Sequence, residues 1–130
     1  WVLCLDADER VSPELRDAIL ARLGRDPLPD GFTMPRRNHY MGRAIRHGGW
    51  YPDTKLRLFR RSRGRWTGRN PHDRARVDGR IEHLDGDLLH WSYATLSDHL
   101  RTIDSFTSIA ARERYARGER AGILDLTLQK

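Results

Sequence analysis

The pattern of apolar and polar positions predicts two helices connected by short strands and loops. An apolar run at 1–5 ends in Asp6-Ala7-Asp8-Glu9, which is typical of a buried strand that enters a loop. Ser12-Pro13-Glu14 then provides a hydroxyl N-cap, a proline at the first helical position and an acid in the first turn. Because apolar residues recur every fourth position after it, we predict a helix over 13–23.

The middle of the chain reads as strands separated by loops. Residues 32–38 are expected to form an edge strand, because Pro35 is poorly tolerated in a central one. Glycines and a proline make 41–54 loop-like. The alternating segment 56–60 predicts a further strand, with Leu56, Leu58 and Arg60 on one face.

The last part of the chain combines a basic segment, turn signals and a second helix. Residues 61–76 are polar and basic, and we expect them to be mobile or ordered by a ligand. Asp78-Gly79 and Asp85-Gly86 favour a hairpin within 77–90. Apolar positions then step by four, three, three and four, which predicts an amphipathic helix over about 95–117.

Composition excludes several classes of protein. The chain has 130 residues, 24 Lys plus Arg, 18 Asp plus Glu and a net charge of +6. Its 38% apolar residues, with four Trp, four Tyr and three Phe, exclude a disordered chain. No apolar run approaches the roughly 20 residues that a bilayer-spanning helix needs. The single Cys4 excludes a disulfide scaffold, and no signal peptide is visible in the opening residues.

Basic residues are concentrated in one stretch of the chain. Residues 36–80 hold fourteen Lys and Arg against Asp53, Asp73 and Asp78, a local charge of +11, which leaves −5 elsewhere. Of the 24 basic residues 22 are Arg, the side chain best suited to bidentate phosphate contacts. A basic patch that faces phosphates explains this pattern, although an Arg-rich coding bias would give the same composition.

Asp6 and Asp8 are the first candidates for chemistry. In an extended chain their side chains would project to the same side, about 6.6 Å apart along the strand. Two carboxylates beyond the end of a strand suit a hard divalent ion that also binds substrate phosphates. The alternative is that both acids only solvate a turn before the Ser12 cap.

Two further candidates lie later in the chain. Asp73 in Asn70-Pro71-His72-Asp73 could act as a general base on a hydroxyl, since neighbouring arginines would keep it ionised. Alternatively, it pairs with Arg74 or Arg69 at the surface. His90 follows a strand-like run and is either a hydrogen-bonded structural histidine or a ligand.

Several motifs in one order carry a family resemblance over nearly the whole chain. They are Trp1–Leu15, Pro35-Arg36-Arg37-Asn38, His47-Gly48-Gly49-Trp50-Tyr51-Pro52-Asp53, Leu56–Arg61, Asn70–Asp73, Val77-Asp78-Gly79 and Leu89-His90-Trp91-Ser92-Tyr93. Together these motifs resemble the family 2 glycosyltransferases with the GT-A fold, particularly bacterial lipopolysaccharide-core glucosyltransferase-like members.

The resemblance implies a fold, an activity and a location. The fold would be α/β, with 1–130 forming the C-terminal, catalytic and acceptor part of a GT-A (Rossmann-like) mixed sheet with flanking helices. The N-terminal nucleotide-binding units would be missing from it. The activity would be inverting transfer of a sugar from a nucleotide-sugar donor to a hydroxyl of a glycan or glycolipid, in cell-envelope or lipopolysaccharide-core synthesis. A cytoplasmic protein, peripheral at the inner face of the membrane, would fit the basic stretch.

The resemblance also implies roles for particular residues. Asp6 and Asp8 would hold the nucleotide and a Mg²⁺ or Mn²⁺ ion on the donor diphosphate, and His90 would complete the metal site. Asp73 would be the base, although members of the family usually carry His-Glu where this chain has His72-Asp73. The substrate-binding candidates are Asp6, Trp50, Tyr51, Asp53, Arg57 and Arg60.

The sequence is also compatible with two other functions. A nucleic-acid-binding module could use 36–80 with Trp50, Tyr51 and Trp66 as stacking surfaces, but it leaves Asp6 and Asp8 unexplained. A non-catalytic, transferase-like scaffold could bind a partner through its C-terminal helix. Under the transferase interpretation no nucleic-acid partner is expected.

Overall fold

A computed structural model describes residues 1–68, 74–120 and 122. The chain divides into two compact units, Trp1–Thr95 and Leu96–Lys130. Within the second unit, helix α2 spans Leu96–Ala116, which confirms the helix predicted over about 95–117. Among the described residues, neither helix has both the length and the apolar character that crossing a bilayer requires.

The first unit is built mainly from strands. Its elements in chain order are β1 (Val2–Leu3), β2 (Glu9–Val11), helix α1 (Pro13–Leu23), β3 (Gly31–Tyr40), β4 (Arg43–Ala44), a 3₁₀ turn (Gly48–Trp50), β5 (Asp53–Phe59), β6 (Gly64–Thr67), β7 (Arg74–Val77), β8 (Ile81–His83) and β9 (Leu88–Tyr93).

A mixed sheet organises the described part of this unit. Its main order is β1-β5-β3-β9-β2, and β4 and β8 also pair with β3. Strand β3 runs antiparallel to β5 and parallel to β8 and β9. Strands β6 and β7 form a separate antiparallel pair. The α/β class with a mixed sheet is therefore confirmed.

Helix α1 begins and ends where its sequence signals predict. The hydroxyl of Ser12 accepts a hydrogen bond from the Leu15 N–H at 3.2 Å, and Pro13 occupies the first position. Gly24 is the C-cap residue. One side of the helix joins the core, which consists of Leu15, Phe32, Met34, Leu58, Leu84 and Leu88.

The prediction of an edge strand over 32–38 is wrong, because β3 has neighbours on both sides. Pro35 is tolerated there because the neighbour on one side is interrupted. Residues 31–33 pair with β8 and residues 36–40 pair with β9, so Pro35 lies in the gap between them. Its missing N–H therefore removes no ladder bond on that side.

The hairpin predicted within 77–90 is also wrong. Strands β8 and β9 both run parallel to β3, one after the other, so the chain does not reverse between them. Gly86 lies in the connection with φ +99°, and a Cβ there would lie 2.5 Å from the Leu15 backbone nitrogen. Gly86 therefore allows the connection to pack closely against α1, where a side chain would not fit.

A hairpin forms instead in the segment predicted to be mobile or ligand-ordered. Strands β6 and β7 pair from Gly64 with Val77 to Thr67 with Arg74. The predicted loop 41–54 also contains regular structure, namely β4, the 3₁₀ turn and the start of β5. Strand β5 itself spans Asp53–Phe59, whereas the alternation predicted 56–60.

Two bulges interrupt the regular pairing of β3. Phe32 pairs with Leu58 and Thr33 with Leu56, so Arg57 is an extra residue without a partner on β3. On the other side, the pairing passes from Trp91 to Tyr93 and leaves out Ser92. Bulges redirect side chains and are common beside functional sites. Both Arg57 and Ser92 contact the candidate site described next.

Candidate active site

Asp6 and Asp8 lie on a tight turn. Strand β1 ends at Leu3, and the Glu9 N–H donates to the Asp6 carbonyl oxygen at 3.0 Å. In return, the Asp6 N–H donates to Glu9 Oε2, also at 3.0 Å. The expectation of an extended chain, with both acids spaced along one side of a strand, is therefore wrong. The turn belongs to the connection that carries the chain from β1, at one end of the main strand order, to β2 at the other.

The second acid of this turn faces a histidine. His90 Nε2 lies 3.2 Å from Asp8 Oδ2, and the Trp91 N–H donates to the Asp8 carbonyl at 3.0 Å. The imidazole is largely buried, with 14% of the side chain exposed, whereas the Asp8 side chain is 49% exposed. The pair thus joins a fixed imidazole to a carboxylate that solvent reaches.

Hydrogen bonds to Asn38 determine the tautomer of His90. The Asn38 amide nitrogen donates to the Trp50 carbonyl at 2.8 Å, so its oxygen faces the imidazole. His90 Nδ1 must then carry the proton and donate to that oxygen at 2.6 Å. Ser92, the bulge residue of β9, has its hydroxyl 3.1 Å from the same nitrogen.

The charge state of His90 follows from its surroundings. Burial and then the charge of Arg36 lower the pKa of His90, and they outweigh the opposing effects of Asp8 and Glu9. The lowered pKa favours the neutral ring, in which the Nε2 lone pair points at the Asp8 carboxylate. Two electron-pair donors that face each other in this way suit a shared cation.

The residues at this turn fit a divalent ion that takes its other ligands from a substrate. No group of three or more His, Cys, Asp or Glu side chains in the described ranges is arranged to hold a metal on its own. Asp8 and His90 provide a carboxylate and an imidazole whose Nδ1 is anchored, the usual arrangement of a ligating histidine. Mg²⁺ sites commonly use one or two protein carboxylates together with substrate phosphates and waters.

Next to this pair lies a buried network of charges centred on Glu9. The Glu9 side chain is fully buried, and its Oε1 accepts from Arg57 at 2.9 Å and from Arg36 at 3.2 Å. Arg57 also contacts the Asp6 carboxylate. Burial alone would lower the pKa of Arg57, but the charges of Glu9 and Asp6 outweigh it and raise that pKa. The network therefore connects the Asp6–Glu9 turn to β3 and β5.

Asp53 joins the same network through Arg36, which contacts both Glu9 and Asp53. Its Oδ2 accepts from Arg36 Nε and Nη2 at 2.9 and 2.6 Å, and its Oδ1 accepts from Lys55 at 2.8 Å. Burial raises the pKa of Asp53, but the hydrogen bonds from Lys55 and Arg36 lower it by more, so the net shift is downward. Asp53 is thus held in ion pairs at the start of β5.

The two aromatic candidates are placed by the 3₁₀ turn and the residue after it. Trp50 is 37% exposed, and its ring meets the Tyr40 ring edge-on with 5.8 Å between the ring centres. The Trp50 backbone carbonyl accepts a hydrogen bond from the Asn38 amide. The Tyr51 hydroxyl donates to Asp87 Oδ1 at 3.0 Å. Asn38 therefore links Trp50 to His90, whereas Tyr51 is anchored at the connection before β9.

The two arginine candidates are placed differently. Arg57 is buried against Glu9 and Asp6, with its guanidinium carbon 5.9 Å from the centre of the Trp66 ring. Arg60 Nε donates to the Pro29 carbonyl at 3.2 Å, and its guanidinium lies over Trp1. Among the described residues, the structure brings Asp6, Asp8, His90 and Arg57 together, and it does not bring Arg60 to them.

Sequence reasoning missed three residues that build the site, and one predicted residue lies outside the description. Glu9, Arg36 and Asn38 hold the candidates in place. The available signals were the acid directly after Asp8 and the replacement of apolar by polar residues along alternate positions of β3. Asp73, the predicted base, lies outside the described residues.

Comparison with known proteins gives a distant similarity to a glycosyltransferase. One relative is the lipopolysaccharide core biosynthesis glycosyltransferase LpsC of Rhizobium meliloti (strain 1021), which is 24% identical over 122 residues. The aligned region covers 92% of this chain and 45% of LpsC, so the chain spans less than half of that protein's length. No protein-family model matches the chain, and no solved structure matches it significantly.

Proposed function

We propose that this chain is the catalytic and acceptor part of an inverting, family 2 glycosyltransferase with the GT-A fold. It transfers a sugar from a nucleotide-sugar donor to a hydroxyl of a glycan or glycolipid in lipopolysaccharide-core or related cell-envelope synthesis. The similarity to LpsC and the ordered motifs of the sequence support this proposal.

The observation that carries the proposal is the Asp8–His90 pair. The His90 imidazole on β9 and the half-exposed Asp8 carboxylate converge at 3.2 Å, and Asp8 lies on the turn that also carries Asp6. Bound there, Mg²⁺ or Mn²⁺ would supply positive charge to the departing nucleoside diphosphate. Asp6 then contacts the nucleotide, since one of its oxygens is occupied by Arg57 while its side chain is 52% exposed.

The acceptor side needs a base. Asp73 takes the proton of the acceptor hydroxyl as that oxygen attacks the anomeric carbon, and the bond to the diphosphate breaks on the opposite face. Trp50, Tyr51 and Asp53 border the acceptor. The exposed arginines of the β6–β7 hairpin bring the protein to the inner face of an anionic membrane.

Two substitutions of the base test this mechanism in the full-length protein. Asp73→Asn keeps the shape of the side chain but cannot accept a proton, so we expect kcat to fall by about 10² to 10⁴. Asp73→Glu should retain substantial activity, because relatives place Glu there. Initial rates with a panel of nucleotide-sugars and Mn²⁺, with and without EDTA, provide the measurement. Full activity of Asp73→Asn, or wild-type turnover in excess EDTA, would contradict the proposal.

A further inference from the structure

We propose that Glu9 and Arg57 form a positioning pair that fixes the conformation of the Asp6–Glu9 turn and so orients the two acids of the site. This inference rests on the proposed function for its consequence, because the orientation matters only if Asp6 and Asp8 bind a metal and a nucleotide. Neither residue contacts the reacting groups in this account. Both act through the turn.

Burial shows that the pair is part of the interior. The Glu9 side chain has no exposed surface, and 9% of the Arg57 side chain is exposed. A buried carboxylate and guanidinium must satisfy each other, because an unpaired charge in the interior is very costly. Their contact at 2.9 Å is therefore fixed, and anything that either group holds is fixed with it.

The two groups hold the turn from both ends. Glu9 Oε2 accepts the Asp6 N–H, and Arg57 contacts the Asp6 carboxylate. The Arg57 carbonyl also accepts the N–H of Cys4 at 2.9 Å, just before the turn. The backbone and the side chain of Asp6 thus both depend on this pair, whereas Asp8 is left half-exposed beside His90.

The bulge on β5 explains how Arg57 reaches this position. Leu58 points into the core, so in a regular strand the residue before it would point to the opposite face of the sheet. Because Arg57 is the extra residue of the bulge, its side chain is released from that alternation and reaches the buried Glu9. The Arg57 guanidinium thus forms its ion pairs with Glu9 and Asp6 of the same chain. This makes Arg57 a positioning residue, in contrast to the substrate-binding role that the family resemblance implies.

Glu9→Gln is the sharpest way to disturb the pair without removing the side chain. Glu9 uses both oxygens as acceptors: Oε1 for Arg57 and Arg36, and Oε2 for the Asp6 N–H. Glutamine has one acceptor oxygen, so it must give up one of these sets. Arg57→Lys is the second variant, because it keeps the charge but loses the planar guanidinium that reaches Glu9 and Asp6 together.

Glu82→Gln is the matched control. Glu82 also accepts through both oxygens from arginines, at 2.9 and 3.1 Å from Arg22 and at 3.0 Å from Arg80. It lies on β8, and its side-chain ion-pair partners in the described part of the chain are Arg22 and Arg80. A general effect of weakening an ion pair will therefore appear in this variant as well.

Amide hydrogen exchange by NMR tests the pair without any metal. In Glu9→Gln and Arg57→Lys we expect exchange at Asp6 and Glu9 to accelerate about tenfold or more, as expected for a lost charge-assisted hydrogen bond. Exchange in the core of β3 should stay at the wild-type rate, which separates loosening of the turn from global unfolding. Wild-type exchange at Asp6 and Glu9 in both variants, or the same acceleration in Glu82→Gln, would overturn the proposal.

Mn²⁺ titration followed by EPR separates this proposal from the proposed function. If wild-type protein binds Mn²⁺, the two variants should bind it about tenfold more weakly, while Glu82→Gln should match wild type. Wild-type affinity in both variants would overturn the positioning role and leave the metal site intact. If the wild type does not bind Mn²⁺, the metal-dependent function fails, and the exchange measurement still decides whether the pair fixes the turn.

Discussion

The two halves of β3 use the same face of the sheet in opposite ways. Phe32 and Met34 in the first half are fully buried in the apolar core. Two and four positions further, Arg36 and Asn38 lie on the same face but join the charged network and the His90 cluster. One strand therefore carries both the packing that stabilises the unit and the polar groups that position the candidate site.

The difference between these halves shows where stability and function are separated. The apolar half stabilises the protein by burying apolar surface. The free energy gained is roughly proportional to the area buried, whichever apolar side chains provide it. The charged half contributes less stability, because the free energy lost when its ions are removed from water is nearly as large as the free energy gained from their attraction. Its residues instead fix geometry, in particular the orientation of Asp6, Asp8 and His90. The following predictions test this division.

The largest effect is expected in the apolar half. Phe32→Ala removes a fully buried ring and leaves a cavity, so we expect the free energy of unfolding to fall by about 3–5 kcal/mol. Urea unfolding followed by circular dichroism measures it. A loss below about 1 kcal/mol would show that Phe32 is not a core residue.

A smaller loss of stability is expected in the charged half. Arg36→Met keeps the length of the side chain but leaves Asp53 and Glu9 each with one partner fewer, which should cost about 1–3 kcal/mol. The control is Arg43→Met on β4, at an exposed position, which should change stability by less than about 0.5 kcal/mol. Equal losses in the two variants would mean that the buried network makes no specific contribution.

The smallest expected effect is a pH dependence of the contribution that Asp53 makes to the free energy of unfolding. Its pKa in the folded protein is lowered from the ordinary value of 3.8, so the stabilisation is complete above that value and is lost as the pH falls through the folded pKa. The difference in unfolding free energy between wild type and Asp53→Asn should therefore narrow as the pH drops below about 5. A difference that stays constant down to pH 3 would contradict the ion pairs with Arg36 and Lys55.

The helices and the class of fold were predictable because their signals are local. The Ser12 cap, Pro13 and Gly24 mark the ends of α1, and these residues act on their own backbone neighbourhood. The strand order was not predictable, since it depends on pairing between distant segments. Pro35 illustrates this limit, because a gap between β8 and β9 makes a central position acceptable.

The exposed residues of the candidate site were predictable from the sequence, but the buried residues that hold them in place were not. Asp6, Asp8 and His90 carry recognisable chemistry, and the structure brings them together. Arg57 was recognised as a candidate, but a bulge that no local pattern indicates turns it toward Glu9. Glu9 itself looked like one more polar residue of a loop, since burial of a charge is visible only once its partners are in place.

The central claim is that the Asp8–His90 pair binds a divalent ion together with a donor diphosphate. Mn²⁺ titration of the full-length protein with a nucleoside diphosphate, for Asp8→Asn and for the exposed Asp85→Asn as control, tests it most directly. We expect Asp8→Asn to lose Mn²⁺ binding while its unfolding free energy changes by less than about 0.5 kcal/mol, and Asp85→Asn to match wild type. Wild-type Mn²⁺ affinity in Asp8→Asn would contradict the claim.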